Sequence, residues 1–123
     1  MTVAWRKYGR VIAGLSGAMA VGFGALAAHG AGEASQASVW LEKGARYQMF
    51  HALALLALCH WPAPDQRLIL LPGILFVVGM LFFSLGLYCM ALLSWPIQMV
   101  IPIGGTAFIL GWLALAAAAI KSG

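Results

Sequence analysis

Four long apolar runs divide this chain, and they constrain its fold more than any other feature. A bilayer core about 30 Å thick is crossed by a helix of about 20 residues, because a helix satisfies its own backbone hydrogen bonds where no water can. The runs cover residues 9–28, 39–61, 68–93 and 99–120, and the breaks between them are polar or carry proline. They predict an all-α membrane protein, a four-transmembrane-helix bundle forming a single integral membrane domain over residues 1–123. Composition agrees: 63% of residues are hydrophobic and 8% charged, against about 25% charged in soluble domains.

The second run is the least apolar. Its uncharged stretch begins at Tyr47, and Pro62 is expected to end the helix, so it must take in 39–46 to reach full length. Within that extension Glu42 and Arg46 stand four apart, in the favourable order for an ion pair on one helical face; the alternative is that Arg46 snorkels alone to headgroups.

Orientation follows from Lys and Arg, which are enriched on the cytoplasmic side. With the N-terminus inside, that side holds Arg6, Lys7, Arg10, Arg67 and Lys121, against Lys43 and Arg46 outside, so both termini are expected in the cytoplasm. The same scatter of basic residues at segment ends argues against nucleic acid, despite a net charge of +4. Trp5, Trp40, Trp61 and Trp95 fall at run ends, the headgroup level that indole rings favour. The basic start and the Ala25-Leu26-Ala27 triplet also resemble a secretory signal, but an intact first span is the better reading, because its glycines suit helix packing.

Helices in lipid associate largely through close approach at small residues. The first run places Gly14, Ala18 and Gly22 on one face and Gly24 on a neighbouring one, and the last carries Gly104, Ala107 and Gly111. These seven are the expected packing positions, within the bundle or in a homo-oligomer. Pro102 followed by Gly104 and Gly105 suggests a kink or a close backbone approach near the outer start of the last helix.

Polar groups inside a membrane are costly and are candidates for function. His51 falls near the middle of the second run, with Gln48 and Tyr47 one turn further out on the same broad face; Ser84 and Tyr88 share a face in the outer half of the third, and His29 closes the first. If those faces meet, they form an outer-half polar pocket, or else they hydrogen-bond to one another and lock the helices together. Cys59 and Cys89 lie at opposite depths and read as buried apolar residues. No metal-ligand pattern, phosphate loop or nucleophile elbow is present, so no cofactor and no catalytic residue is expected.

Four ordered motifs carry a family resemblance over nearly the whole chain. They are Phe23-Gly24-Ala25 running to Ala28-His29-Gly30, Tyr47 to Ala54, Leu81-Phe82-Phe83-Ser84 leading to Leu87-Tyr88, and Pro102 to Gly105 leading to Gly111-Trp112. In these the chain resembles the domain of unknown function 423 family, small YgdD-like and transmembrane protein 256-like membrane proteins. It departs in the first motif, where Leu26-Ala27 replaces the usual Phe-Gly and removes a glycine before His29. The resemblance implies four helices in a bacterial inner (cytoplasmic) membrane, with no established reaction.

Three functions are then in competition. The first is a non-enzymatic module that binds a lipid, a small amphipathic molecule or a partner protein through the outer-half pocket. The second is a small transporter or channel subunit using His51; no acidic residue lies in a span core and no inverted repeat is visible. The third is a haem or quinone site on His29 and His51, which lie about 15 Å apart in depth if the helical rise is followed. The first asks least of the residues.

Overall fold

The structure, a computed structural model, describes residues 2–30, 35–63 and 65–121. Four helices follow one another: α1 Thr2–His29, α2 Gln36–Cys59, α3 Arg67–Leu93 and α4 Val100–Lys121. Three of them, α1, α3 and α4, are long and apolar enough to cross a membrane. The fourth, α2, has 24 residues, about 36 Å at the usual rise. Glu42, Lys43 and Arg46 lower its hydropathy near one end only.

Contacts at the helix ends fix the topology. Arg6 near the start of α1 reaches the end of α2, donating through Nη1 to the Cys59 carbonyl at 2.6 Å and through Nη2 to Trp61 at 2.9 Å. These carbonyls belong to the set that a helix C-terminus leaves without partners, which a guanidinium suits in both geometry and charge. At the opposite end, Ser38 Oγ donates to the Ala27 carbonyl at 3.0 Å. Therefore α2 runs antiparallel along the length of α1. Trp5 Nε1 donates to Gln66 Oε1 at 2.8 Å, which brings the start of α3 to the same end, and Arg67 and Leu68 share a cleft there with Ala118 and Lys121. Both termini thus lie at one end of an up-down-up-down bundle. That end gathers the basic residues of α1, α3 and α4, and by the positive-inside rule it is cytoplasmic.

Local chemistry sets the boundaries. Ser35, in extended conformation, caps α2 by accepting the Ser38 backbone N–H at 3.0 Å. This cap starts α2 three residues earlier than position 39, and the helix stops at Cys59, leaving Trp61 beyond it. Pro102 sits in the first turn of α4, where a missing N–H leaves no helical bond unmade. The end of α3 is made by Ser94 in the left-handed region, φ 55° and ψ 32°. A Cβ is unfavourable there by about 1 kcal/mol, so Ser94→Gly is expected to raise the thermal unfolding midpoint in detergent modestly, without altering helix content.

The interface between α1 and α2 follows a seven-residue repeat of small side chains. Ala13, Ala20 and Ala27 of α1 are buried, facing α2, whose own buried set includes Ser38, Ala45, Ala52 and Cys59. A strict repeat of seven is the signature of left-handed, knobs-into-holes packing at a shallow angle. Within the bundle, not all the small residues that the sequence marks on α1 lie in this seam. Gly14, Ala18 and Gly22 are exposed, and a Cβ on Gly14 or Gly22 would meet nothing within 4 Å. Their four-residue spacing precesses round the helix and follows a different stripe from the seven-residue seam. Gly24 lies beside that seam, where a Cβ would come 3.7 Å from Ala45.

The other tight interface joins α3 to α4. Gly104, Ala107 and Gly111 are buried on α4, and a Cβ on Gly104 would land on the backbone nitrogen of Phe83. One on Gly111 would come 2.7 Å from the Phe76 ring. The close backbone approach after Pro102 is thus a contact between helices. Midway along α3 the helix widens into a π turn at Met80–Ser84, where the Leu85 N–H bonds to the Met80 carbonyl. In a regular α-helix, positions four apart drift by about 40°. The wider turn slows that drift and keeps Phe76, Met80, Ser84 and Tyr88 on one buried stripe.

Candidate functional site

The polar faces of α2 and α3 do meet, but they close on themselves in two separate networks. In the first, Tyr88 Oη donates to Gln48 Oε1 at 2.6 Å, and Gln48 Nε2 lies 3.3 Å from Met19 Sδ. The Tyr88 ring stacks on Phe23 with centroids 4.0 Å apart, and Gly44 leaves room for its edge, since a Cβ there would stand 2.8 Å from Tyr88 Cε1. One phenol thereby joins α1, α2 and α3.

The second network is built on His51. Trp112 Nε1 of α4 donates to His51 Nε2 at 3.0 Å, while Nδ1 lies 2.6 Å from the Tyr47 carbonyl one turn back. An Nε2 that accepts an indole N–H bears no proton, so the proton sits on Nδ1 and is given to the carbonyl. The imidazole stacks on Phe108 with centroids 3.5 Å apart and meets the edge of Phe76 at 5.3 Å. Both nitrogens and the ring of His51 are therefore engaged by protein.

The remaining candidates fall elsewhere. His29 is the exposed last residue of α1 and shares no hydrogen bond or ring contact with the others among the described residues. Ser84 is fully buried, and its Oγ has no hydrogen-bond partner among the described residues. An orphaned buried hydroxyl costs about 1 kcal/mol or more. Ser84→Ala is accordingly expected to leave stability unchanged or raise it, as read from unfolding in detergent, whereas a hydroxyl serving the fold would lower it on removal.

The Tyr47 ring flanks the second network, stacked on His51 at 6.4 Å and on Phe108 at 6.5 Å, and it also lines a groove of about 470 Å³ at the outer end, together with Trp40, Lys43, Phe83, Leu87 and Gln98. Its walls are aromatic and aliphatic; a cation, a phenol and an amide stand on its rim. Nearby, Arg46 Nε donates to Glu42 Oε1 at 3.0 Å, so that pair is an ion pair on the exposed face of α2. No cluster of three or more metal-ligating side chains is present among the described residues.

Sequence reasoning overlooked Trp112, the donor to His51. A signal existed: of five tryptophans it alone lies in the middle of a run, where an indole N–H has no headgroup to meet and must find a partner inside the protein. Lys43 and Gln98 were also missed, since only the fold brings them to one groove.

The fold defines a multi-pass α-helical membrane protein in which Gln48, Tyr88, His51 and Trp112 bond across helices. A family model described as protein of unknown function (DUF423) matches residues 23–105. A UPF0382 membrane protein of Haemophilus influenzae is 40% identical over 119 residues, covering 94% of this chain and 95% of that protein. One from Staphylococcus epidermidis is 41% identical, with 90% and 93% covered, and the UPF0382 inner membrane protein YgdD of Escherichia coli K12 is 32% identical, with 90% and 88% covered. No solved structure matches. The chain belongs to the DUF423 family of membrane proteins, and its place is the bacterial inner membrane.

Proposed function

We propose that the protein is a non-enzymatic membrane module that holds a small amphipathic molecule, such as a lipid, in the groove at the outer end of α2, α3 and α4. The observation that carries this reading is the composition of that groove. Lys43, Tyr47 and Gln98 offer charge and hydrogen bonds at its rim, above walls made by Trp40, Phe83 and Leu87. Ligand sites of this size are commonly apolar with a few polar groups that fix orientation. The occupant is a molecule with an apolar body and a polar or anionic head, and the site lies in the outer half of the bundle beside the closed polar networks. The transporter or channel reading has less support, because His51 has no free nitrogen with which to take up a proton.

Native mass spectrometry of protein released from lipid nanodiscs tests the proposal, comparing wild type with Lys43→Gln, Tyr47→Leu. Both side chains are exposed, so the double variant is expected to fold. Wild type should retain a defined lipid or metabolite that the variant loses. Release of both proteins without ligand, or equal retention by both, would refute the groove as a binding site.

A further inference from the structure

A second, separate groove lies at the cytoplasmic end of the bundle. Although α1 packs along α2, it barely approaches α3, and the gap between them forms a furrow. Two stretches of it, of about 350 and 170 Å³, share Ile12 and Val77 in their walls and so lie end to end. The furrow runs from Trp5 at the cytoplasmic end to Met19, with Leu55 and then Gln48 of α2 beneath it. From Trp5 to Met19 the rise of α1 amounts to about 21 Å, somewhat more than one leaflet of a hydrocarbon core about 30 Å thick.

Two features fix its shape. At the open end Arg6 binds α2 carbonyls and Trp5 binds Gln66, so α1 is held at a set distance from α3. At the closed end Gln48 is occupied by Tyr88 and Met19, which leaves that end apolar. The charges at this end of the bundle are mostly positive, with Asp65 the one described acid among them. Lys7, Arg10, Arg67 and Lys121 are exposed at this end. Of the two described acidic residues Glu42 lies at the other end, and the Asp65 carboxylate accepts the Arg67 backbone N–H.

We infer that the furrow between α1 and α3 seats one acyl chain of an anionic phospholipid from the cytoplasmic leaflet, with its phosphate drawn by the basic residues gathered at that end of the bundle. The length of the furrow matches a chain that spans its own leaflet, and its apolar walls exclude the headgroup. The basic residues select the headgroup by charge, each being worth about a fivefold preference near a membrane surface.

Photocrosslinking in nanodiscs tests this, using phosphatidylglycerol or phosphatidylcholine that carries a mid-chain diazirine, with labelled residues mapped by mass spectrometry. Labelling should concentrate on Leu70, Ile74 and Val77 over the outward face of α1 at Val11 and Ala18, and phosphatidylglycerol should label the furrow about fivefold or more above phosphatidylcholine. Ile12→Trp, at an exposed position on the furrow wall, should abolish that labelling and spare the outward face; Ile74→Trp serves if the first variant does not fold. Lys7→Gln, Arg67→Gln should reduce the phosphatidylglycerol signal alone. Even labelling around α1, or furrow labelling that survives the tryptophan, would overturn the site and leave only annular lipid. Equal labelling by the two lipids would overturn the assignment of an anionic headgroup.

Discussion

Gly104→Ala is expected to keep α3 and α4 from docking, lowering the thermal unfolding midpoint in detergent by on the order of 10 °C. An added Cβ would fall on the Phe83 backbone nitrogen, within 2.8 Å of Phe83 Cβ and 2.9 Å of the Phe82 carbonyl carbon. Backbone atoms cannot turn aside as a flexible side chain can, so relief requires the two helices to move apart. That movement would also loosen the Gly111 contact with Phe76 and the seat of Phe108 against Gly79. Overpacking costs about 1–3 kcal/mol where neighbours can adjust, and a rigid neighbour places this substitution at the upper end. Gly14→Ala is the matched control. It meets nothing within 4 Å and improves helix propensity by up to about 1 kcal/mol, so its midpoint should stay level or rise. Equal losses from the two substitutions would refute the packing described for α1 and α4.

That contrast shows where the sequence was readable. Gly104 and Gly14 each stand in a run of small residues at helical spacing, and only the Pro102-Ile103-Gly104-Gly105 context marks the first as a site of close approach. Close packing is a property of two helices, and the partner of α1 could be found only through the seven-residue repeat of Ala13, Ala20 and Ala27. The four apolar runs themselves needed no partner, because bilayer thickness and backbone hydrogen bonding define a crossing helix one segment at a time. The polar residues of α2 and α3 were visible for the same reason, since any such side chain in a span stands out. Their pairing was not. Gln48 finds Tyr88 40 positions away and His51 finds Trp112 61 positions away, and the π turn that brings Ser84 and Tyr88 inward has no Pro or other breaker within Met80–Ser84 to announce it.

His51→Ala should be as damaging as the glycine substitution, for a different reason. The imidazole is buried and packs against Phe108 and Phe76, so truncation leaves a cavity of the kind that costs about 2–5 kcal/mol when large side chains become alanine. It also strands the Trp112 indole N–H, which donates to Nε2, and frees the Tyr47 carbonyl. Trp112→Phe removes the donor together with the five-membered half of the indole, which also packs on Phe76, so its cost should be somewhat above about 1 kcal/mol, the usual scale for hydrogen bonds between membrane helices. In the double variant the stranded indole no longer exists. The combined loss should therefore fall short of the sum of the single losses, and unfolding measured for the four proteins gives the coupling directly. Additive losses would mean that the indole and imidazole do not bond. A His51→Ala protein as stable as wild type would mean more, since a mid-membrane histidine that the fold can spare is one retained for chemistry, and the transporter reading would then displace the structural one.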